Sequence, residues 1–532
     1  MKRNIFLATI LLSILNFMPS NTLHAQSNEV WLAKVEVDGS PAIIDINGNY
    51  VVRPGKYEKI DFDNFSEGMC RVTREGKEGY IDIYGNEVVP CQWKYVTKFE
   101  NGFGRVTVQS KEDDSSLSGF VDKTGKVVIP PEYSYLEVVG NSDLIRTSVP
   151  ACLYNFNGDL LIENAHEIGR ICSEGKLIVR GNGGVYFVDE KGNKCSKRFV
   201  DAGPYNQGYA SVSLYNGNKA PVEAYLDSEG NILRFDEYVW LGSFCDDGYA
   251  GVSRGSRQVG LINRQFEEVI PCIYEEISSL YKYQKRDSNE LFIEGLAKVK
   301  KNGEYALINP KNEIILPFGK YYDIQMLTGN VLKASTFNKH ERKDKRGNLT
   351  TFRTYVIIDK EGNQLSDQEY ENIFDFNNGF AVVRIEDMYG IIDSQGKEVI
   401  PCKYKYDEYT RMDIKDFVDY GVVRIKKNGR WGLLNRKGEL IVPATYDKMS
   451  AFVDGLSLVN RGLFWFAINP SGEVEINLGI ISPTQSNFTG GRLGIKKEID
   501  GKKKYGYIDH KGEVVIPCKF DKASSFKNVG FD

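Results

Sequence analysis

One short segment carries the residue types of a serine nucleophile. Gly251-Val-Ser-Arg-Gly255 matches the G-x-S-x-G pattern, in which the serine hydroxyl attacks an ester or amide carbonyl. That chemistry needs a strand, a sharp turn and a helix around Ser253, with an acid and a histidine later in the chain. Here the segment lies on one strand of a repeated unit and another strand follows it. We therefore predict an ordinary strand and hairpin.

Residues that bind metal ions are few and badly spaced for a site. Three histidines follow residue 25, namely His166, His340 and His510, and none has a cysteine or histidine partner at zinc-site spacing. Asp45-Ile-Asn-Gly-Asn49 resembles the start of a calcium loop, but Lys56 stands at the twelfth position, where such a loop needs glutamate. The sequence therefore predicts no metal site and no cofactor.

Paired carboxylates are the remaining catalytic candidates. Asp113-Asp114 and Asp246-Asp247 stand at predicted turns, where water solvates them, and no phosphate-binding loop ending in Gly-Lys-Ser/Thr occurs. We predict that the protein is not an enzyme and assign no catalytic residue; the binding residues stay unknown. A glycan hydrolase with carboxylates from distant loops is an alternative, because that arrangement has no local signature.

The overall charge excludes one class of partner. The chain has 68 Lys and Arg against 72 Asp and Glu, a net charge of −4. A nucleic-acid-binding protein needs a concentrated basic surface, which this sequence lacks. We expect a protein partner, with polysaccharide as the alternative, and leave the oligomeric state open.

The first 25 residues have the layout of a secretory signal peptide. A basic start at Lys2 and Arg3 precedes an apolar run from Ile5 to Met18, and a short polar segment ends at Ala25. The apolar run is shorter than the roughly 20 residues that cross a bilayer. The sequence predicts cleavage near Ala25 and a soluble exported protein, periplasmic or extracellular, with no membrane insertion afterwards.

The rest of the chain repeats one unit thirteen times. Each unit has an apolar strand, a turn opened by Asp or Asn, and a return strand, at an average spacing of about 39 residues. The side chain of a turn-opening Asp or Asn accepts a backbone hydrogen bond two residues further on. The openers are Asp45, Asp82, Asp122, Asn155, Asp189, Asp227, Asn263, Asn309, Asp359, Asp393, Asn435, Asn469 and Asp509.

Glycine and proline recur at fixed places around that turn. Eleven units have glycine three residues after the opener; Asn312 tolerates the left-handed conformation there, and Phe266 predicts a different turn. Six units have glycine three residues before the opener, which indicates close approach of a neighbour. These are Gly79, Gly119, Gly260, Gly390, Gly432 and Gly506. We expect prolines such as Pro443 to end their strands, because proline has no N–H for the ladder.

Four of the nine cysteines occupy one repeat position. Cys91, Cys272, Cys402 and Cys518 directly follow the strand proline in four different units, so they do not face one another in pairs. We interpret them as small buried apolar residues. One disulfide among the other five cysteines stays open.

Two segments carry a family resemblance. Trp431-Gly432 followed by Leu-Leu-Asn-Arg-Lys-Gly-Glu, and Tyr505-Gly506 followed by Tyr-Ile-Asp-His-Lys-Gly-Glu, resemble the WG repeats of bacterial proteins. With the other copies, the resemblance covers nearly all of residues 28–532. It implies an extracytoplasmic or interaction role and no general catalytic residue.

The predicted fold is all-β, with about thirteen antiparallel β-meander repeats. One small sheet cannot bury its own faces and must stack on the next. Propeller-like blades are favoured, but thirteen exceeds the roughly 4–8 blades of a typical ring, so two rings are considered. An open twisted array is the alternative. The predicted division is a signal peptide at 1–25, a first half of repeats at 26–253 and a second half at 254–532.

Two long insertions interrupt the repeat period. The segments Tyr281–Asn289 and Asn338–Gly347 are rich in charged and polar residues, and we expect exposed loops at hairpin tips.

Three functions are compatible with this sequence. The first is a non-catalytic exported scaffold that binds an envelope or extracellular protein. The second is a carbohydrate-binding repeat protein, but its candidate tyrosines hold fixed repeat positions and are expected to be structural; they are Tyr133, Tyr274, Tyr404 and Tyr446. The third is the glycan hydrolase described above. An exposed row of aromatic rings favours glycan, whereas a broad apolar or charged groove favours protein.

Overall fold

The computed structural model describes residues 29–110, 115–217, 219–255, 257–280, 289–329, 331–343, 348–405, 412 and 414–530. The predicted signal peptide, Asp113-Asp114 and most of the first insertion lie outside these residues. Apart from one short α-helix and one 3-10 turn at Phe62–Asn64, every regular element of the described chain is a β-strand. No helix in this part of the chain is long and apolar enough to cross a membrane.

The strands form thirteen small antiparallel sheets in chain order. Sheet one has β1 (Trp31–Val37), β2 (Ser40–Asp45) and β3 (Tyr50–Val52). Sheet two has β4 (Lys59–Ile60), β5 (Met69–Arg74), β6 (Lys77–Asp82) and β7 (Glu87–Trp93). Sheet three has β8 (Tyr95–Val96), β9 (Phe103–Gln109), β10 (Ser116–Asp122) and β11 (Val127–Tyr133), and sheet four has β12 (Leu136–Val138), β13 (Leu144–Thr147), β14 (Ala151–Asn155) and β15 (Leu160–Ala165).

The middle sheets keep this plan with local departures. Sheet five has β16 (Glu167–Ile168), β17 (Lys176–Gly181) and β18 (Gly184–Asp189). Sheet six has β19 (Asp201–Ala202), β20 (Tyr209–Leu214), β21 (Val222–Asp227) and β22 (Ile232–Arg234). Sheet seven has β23 (Trp240–Phe244), β24 (Ala250–Ser253), β25 (Val259–Ile262) and β26 (Glu268–Tyr274), and sheet eight has β27 (Glu276–Ser278), β28 (Ala297–Lys301), β29 (Glu304–Ile308) and β30 (Ile314–Leu316).

The last sheets contain the helix and the longest strands. Sheet nine has β31 (Asp323–Leu327), β32 (Val331–Lys343) and β33 (Leu349–Ile358). Sheet ten has β34 (Asn372–Ile373), β35 (Phe380–Ile385), β36 (Met388–Asp393) and β37 (Glu398–Lys405).

The helix α1 (Ile414–Tyr420) precedes sheet eleven, which has β38 (Val422–Lys427), β39 (Arg430–Asn435) and β40 (Leu440–Tyr446). Sheet twelve has β41 (Lys448–Met449), β42 (Ser457–Arg461), β43 (Phe464–Ile468) and β44 (Val474–Gly479). Sheet thirteen has β45 (Ser482–Pro483), β46 (Leu493–Ile499), β47 (Lys502–Ile508) and β48 (Val514–Phe520).

Two C-terminal strands close the array into a ring. β49 (Lys522–Ala523) and β50 (Lys527–Asn528) follow sheet thirteen and pair antiparallel with β1 of sheet one. Val35 and Ile44 of sheet one share a hydrophobic cluster with Tyr507 and Phe526 from the C-terminal end. Similar clusters join each of the other sheets to the next. The propeller-like prediction is therefore confirmed as one ring, which corrects the two-ring and open-array alternatives.

The predicted boundary between residues 253 and 254 falls inside sheet seven. It separates β24 from β25, which pair with each other, and hydrophobic clusters join this sheet to both of its neighbours. The division of the repeats into two halves stays a prediction.

The repeated turn forms as its residues require. In the first unit the Asp45 Oδ1 accepts the backbone N–H groups of Asn47 and Asn49 at 2.9 and 2.8 Å. Phe266 corrects the expectation of a different turn: its φ is 62°, and its N–H donates to the Asn263 carbonyl at 2.9 Å, as glycine does elsewhere. The strain is accepted because the Phe266 ring packs 4.9 Å from that of Phe235, centroid to centroid.

The strand prolines are also a correction. β40 continues through Pro443: pairing is interrupted after Leu433↔Val442 and resumes at Trp431↔Tyr446. The register shift is a β-bulge, which removes the need for an N–H at the proline. Of the seven prolines at this position, only Pro317 follows the end of its strand, β30. The others lie within strands, namely Pro90, Pro130, Pro271, Pro401, Pro443 and Pro517.

All nine cysteines are free thiols. The four at the shared position are half-buried rather than fully buried, and the Cys272 thiol lies 3.6 Å from the Val252 carbonyl of the same sheet. Burial, with the nearby Glu398 carboxylate, raises the pKa of Cys402 to about 12. These thiols are therefore protonated at neutral pH and act as small packing groups.

Candidate functional site

Two residues of the G-x-S-x-G segment, Ser253 and Arg254, form hydrogen bonds and an ion pair within their own sheet. Ser253 ends β24 and is buried; its hydroxyl contacts the carbonyls of Gly255 and Gln258 at 2.5 and 2.8 Å. Arg254 pairs with Glu268 on β26 at 2.6 Å. The predicted strand and hairpin is what forms there, and the Ser253 hydroxyl is directed at backbone.

Asp246 and Asp247 organise a turn by bonding backbone. The Asp247 carboxylate accepts the N–H groups of Leu291 and Phe292 at 3.0 and 2.7 Å, and Asp246 accepts the N–H of Asn289 at 2.6 Å. Burial raises the pKa of Asp247, against the lowering effect of those N–H groups. This pair ties the turn of sheet seven to the segment from Asn289 to Phe292, and the partial burial of Asp247 corrects the expectation that water solvates it.

The three histidines lie apart from one another. His340 stacks on Phe352 in sheet nine, His510 contacts Phe488 near sheet thirteen, and His166 precedes sheet five. No group of three or more His, Cys, Asp or Glu side chains in the described residues has the arrangement of a metal site.

A set of basic residues that sequence reasoning missed joins neighbouring sheets. The Arg146 Nη1 donates to the Ile168 carbonyl in the first strand of the next sheet at 2.8 Å, and its other nitrogens bond Glu137. Burial opposes ionisation of Glu137, but hydrogen bonds from Tyr135 and Arg146 outweigh it and lower the pKa. The other members that reach the next sheet's carbonyl are Lys34, Arg71, Arg105, Lys298 and Lys333.

These inter-sheet cations had a usable sequence signal. Arg71, Arg105 and Lys298 each stand three residues after a glycine with positive φ, at the start of the second strand. A lysine or arginine that recurs there in an otherwise apolar strand indicates a buried acceptor shared by the units. The acceptor itself belongs to the next unit, about a whole repeat away in sequence.

Exposed aromatic residues occur at the start of several first strands. Tyr95 is 48% exposed and Trp240 is 47% exposed. The Arg71 guanidinium lies 5.3 Å from the Tyr95 ring centroid, and the Arg105 guanidinium lies 4.7 Å from that of Tyr135. A sugar ring stacks on an open aromatic face, and arginine already occupies one face of these two tyrosines.

Of the tyrosines expected to be structural, Tyr133, Tyr274 and Tyr446 are buried and Tyr404 is half-buried.

Sheets nine to eleven depart most from the repeat. The second insertion is not a loop up to Lys343: β32 and β33 form a hairpin longer than any other in the described chain, which corrects the loop prediction. In sheet eleven, the described residues contain no short first strand of the kind that most sheets have, and α1 precedes β38. Local departures from a repeated plan are where functional surfaces are expected.

α1 is held in place by an ion pair in the core. Asp416 is 1% exposed; its Oδ2 lies 2.5 Å from the Arg424 Nε and its Oδ1 accepts the Phe452 N–H at 3.0 Å. Arg424 occupies the inter-sheet cation position of β38, three residues after Gly421. The helix therefore links sheet eleven to sheet twelve through the Asp416 carboxylate.

A groove of about 1280 Å³ lies between sheets ten and eleven. Its apolar side includes Ile425, Leu434, Ala444 and Leu440, of which Leu440 is 56% exposed. Five cations line it from two sides: Lys403 and Lys405 on β37, and Lys426, Lys427 and Arg430 on the β38–β39 hairpin.

Two of the five cations form long ion pairs with carboxylates among the described residues. Lys405 lies 3.9 Å from Asp387 and Arg430 lies 3.7 Å from Asp447, and all four side chains are well exposed. Exposed pairs of this kind contribute about 0–1 kcal/mol. The Lys403 and Lys426 ammonium groups lie 5.6 and 5.3 Å from the ring centroids of Tyr404 and Trp431, which hold the two aliphatic stems in place. We name this surface, from Lys403 to Lys405 and Lys426 to Arg430, the basic groove.

Eight segments of the chain match the profile of a family described as WG containing repeat. The matched residues are 43–77, 79–111, 119–148, 260–282, 357–389, 389–431, 431–462 and 505–531. Sheets five and six and the first two strands of sheet seven, β23 and β24, lie in the gap between the third and the fourth matched segments. No curated protein sequence matches the chain.

Several solved structures show distant likeness. A eukaryotic initiation factor is 12% identical, with 71% of this chain and 97% of that chain covered and a TM-score of 0.27. BamB from Moraxella catarrhalis is 11% identical, with coverage of 57% and 94% and a TM-score of 0.24. PorZ of Porphyromonas gingivalis, a surface component of the type-IX secretion system, is 10% identical, with coverage of 87% and 83% and a TM-score of 0.18. At these TM-scores the likenesses carry no argument about the present chain.

Proposed function

Because the chain belongs to the WG containing repeat family, we propose that it is an exported, non-catalytic scaffold that binds an envelope or extracellular protein. The basic groove is the binding surface, and its ligand is an acidic segment of the partner. The observation that carries the proposal is the combination of an exposed apolar side and five cations where the repeat plan changes.

The size of the groove favours a polypeptide over a small molecule. At about 1280 Å³ it exceeds the roughly 300–1,000 Å³ of typical small-molecule pockets. An apolar centre with a charged border is the usual anatomy of a protein interface. The exposed Leu440 supplies apolar area, and the cations supply long-range attraction for carboxylates.

Two lysines of the basic groove have matched equivalents in other sheets. Lys427 belongs to Lys426-Lys427-Asn428-Gly429, and Lys301 belongs to the same four residue types in sheet eight. Lys403 follows Pro401-Cys402, and Lys519 follows Pro517-Cys518 in sheet thirteen; each stacks on the next aromatic ring. All four lysines are exposed, so the two pairs have equal charge and similar settings.

The test uses charge reversal on these pairs. Tagged residues 26–532 are cross-linked in the native envelope and the captured proteins are identified by mass spectrometry. Lys403→Glu with Lys427→Glu is expected to reduce capture of the main partner about 10-fold or more, as the loss of two charge contacts would. The matched control, Lys519→Glu with Lys301→Glu, is expected to capture as the wild type does.

The outcomes separate the groove from the scaffold role. Equal capture by the groove variant and the control would place the contact elsewhere and end the case for the basic groove. Absence of any enriched protein would end the scaffold proposal itself, and retention on envelope polysaccharide would then support the carbohydrate-binding alternative. A photo-cross-linker at Asn428 supplies the positive result, a cross-linked partner peptide rich in Asp and Glu.

A further inference from the structure

The hairpin of sheet nine extends well beyond its neighbours. β31 pairs with β32 only from Asp323↔Ser335 to Leu327↔Val331, whereas β32 and β33 stay paired out to Lys343↔Leu349. Residues 336–343 and 349–354 therefore form a two-stranded extension, which we name the arm. Apolar side chains remain exposed on it: Phe337 is 51% exposed and Leu349 is 61% exposed.

One edge of the arm has an open backbone. Across the described residues, no strand pairs with the outer edge of β32 from Asn338 to Lys343. Such an edge presents a row of N–H and C=O groups that can pair with an added strand. The continuation of that edge toward the ring is β31, so an added strand would extend the line of an existing one.

The base of the arm has a cup of about 570 Å³ with a polar and aromatic lining, and the carboxylate in that lining, Asp323, pairs with Lys298 at 2.8 Å. Tyr322 is 48% exposed, and the Arg353 guanidinium lies 3.6 Å from its ring centroid. Ser335, Lys339 and Thr351 complete the side formed by the arm. The cup therefore lies beside the open edge and contacts both strands.

Two cations face each other across the arm. Lys339 is directly opposite Arg353 in the strand register. Like charges in directly opposite positions destabilise a pair of strands. The neighbouring Arg342 pairs with Glu371 of sheet ten at 3.1 Å, but in the described chain neither Lys339 nor Arg353 forms an ion pair with a carboxylate. A carboxylate placed between them would relieve the repulsion.

We propose that the arm binds an extended segment of a partner protein as an added antiparallel strand along β32, with an acidic side chain between Lys339 and Arg353. The open edge supplies the backbone hydrogen bonds, and the two cations supply the preference for acidic sequence. A second copy of this arm is a poor occupant, because it would bring the same cations against each other. This surface is separate from the basic groove, and the proposal does not depend on it.

The test uses a synthetic peptide of alternating Glu and Val, with a Lys and Val peptide as the opposite-charge control. Binding of the Glu peptide to residues 26–532 is expected to slow backbone hydrogen exchange in residues 338–343 of the full chain. Lys339→Glu is expected to raise about 10-fold or more the Glu-peptide concentration that protects residues 338–343, whereas Lys339→Arg keeps it. The matched control, Lys502→Glu on the hairpin of sheet thirteen, leaves binding unchanged.

Three results would overturn the proposal. They are unchanged exchange in residues 338–343 at saturating Glu peptide, equal binding of the Lys peptide, and concentration-dependent protection of the arm without any peptide, which would identify a second copy as the occupant. In the double variant Lys403→Glu with Lys427→Glu, which removes two cations from the basic groove, the Glu peptide is expected to protect residues 338–343 from exchange as it does in the wild type. Loss of that protection in the double variant would reject the arm as an independent site.

Discussion

At the scale of single residues, the recurring glycines have two different reasons. In the turn, Gly85 has a φ of 80°, and a Cβ there would lie 2.5 Å from the Val51 carbonyl oxygen of the preceding sheet. In the strand, Gly432 needs no unusual φ, but a Cβ would lie 2.6 Å from the Val442 carbonyl oxygen at the proline bulge. The turn glycine thus packs one sheet on the next, and the strand glycine makes room for the bulge within a sheet.

Substitution of the strand glycine tests that reason. We expect Gly432→Ala to lower the free energy of unfolding by about 1–3 kcal/mol, because the new methyl group overlaps backbone atoms that cannot move independently. Urea denaturation, followed by the fluorescence of Trp431 and the other tryptophans, measures the change.

Gly255→Ala is the control for this substitution. A Cβ at Gly255 meets no atom within 4 Å, and its φ is outside the left-handed region. We expect a change within about 0.5 kcal/mol, as for an unremarkable surface substitution. Equal effects of the two substitutions would contradict the assignment of Gly432 to the bulge.

At the scale of elements, each sheet is completed by contacts with the next one. Arg146 reaches a carbonyl in the first strand of sheet five, and equivalent cations do the same at five other junctions. In sheet eleven, which α1 precedes, Arg424 pairs with Asp416 of the helix, and the same carboxylate accepts the Phe452 N–H from the segment of sheet twelve. The Asp416 carboxylate thus contributes to the junction between these two sheets.

The ion pair of α1 is expected to be essential to that junction. Asp416→Asn removes the carboxylate charge that lies 2.5 Å from the Arg424 Nε, and the Arg424 side chain is only 16% exposed. Removal of one partner from a buried pair costs about 3–5 kcal/mol. Thermal denaturation with hydrogen exchange should show the loss concentrated in sheets eleven and twelve.

The same helix provides the control. Asp419 pairs with Lys415 at 2.5 Å, but these side chains are 37% and 71% exposed. Asp419→Asn should cost about 0.5 kcal/mol or less, because exposed pairs of this spacing contribute little. A comparable loss from both substitutions would show that helix propensity, and not the buried pair, decides the stability of α1.

At the scale of the whole molecule, the ring is closed by the two ends of the described chain. Trp31 pairs with Asn528 and Val35 pairs with Ala523, so the first sheet takes its last strands from the C-terminus. Gly48 of sheet one also packs against Ile516 of sheet thirteen, as turn glycines do at other junctions. Closure gives the terminal sheets the neighbours that an open array would deny them.

Truncation after Phe520 tests closure. It removes β49, β50 and the buried Phe526, and we expect faster hydrogen exchange in sheets one and thirteen with little change in sheet seven. The lost burial of one phenylalanine alone is worth about 3–5 kcal/mol. Truncation after Gly530 keeps both strands and should behave as the full chain does; unchanged exchange in β1 after the longer truncation would contradict a stabilising role for closure.

The sequence by itself determined the local structure of this protein. The Asp or Asn opener and the glycine three residues later predict the turn, because both act within a few residues of backbone. The glycine before the opener also indicated a close neighbour correctly. Repetition of these signals gave the antiparallel units, their number and the family resemblance.

Contacts between strands and between units were decided only by the tertiary structure. Pro443 continues its strand because a bulge opposite Gly432 absorbs it, and Phe266 adopts a left-handed turn because Phe235 of the preceding sheet packs on its ring. The candidate surfaces have the same origin. The basic groove combines β37 with the β38–β39 hairpin, and the arm pairs Lys339 with Arg353.

Ring closure is the clearest example of a feature that only the tertiary structure decided. Val35 and Ala523 lie at opposite ends of the sequence, and no local pattern in either segment specifies the other as its partner. Thirteen similar units can stack in an open array or close into rings with the same local turns. The choice depends on the small rotation from each sheet to the next, which is set by side-chain packing summed around the whole ring.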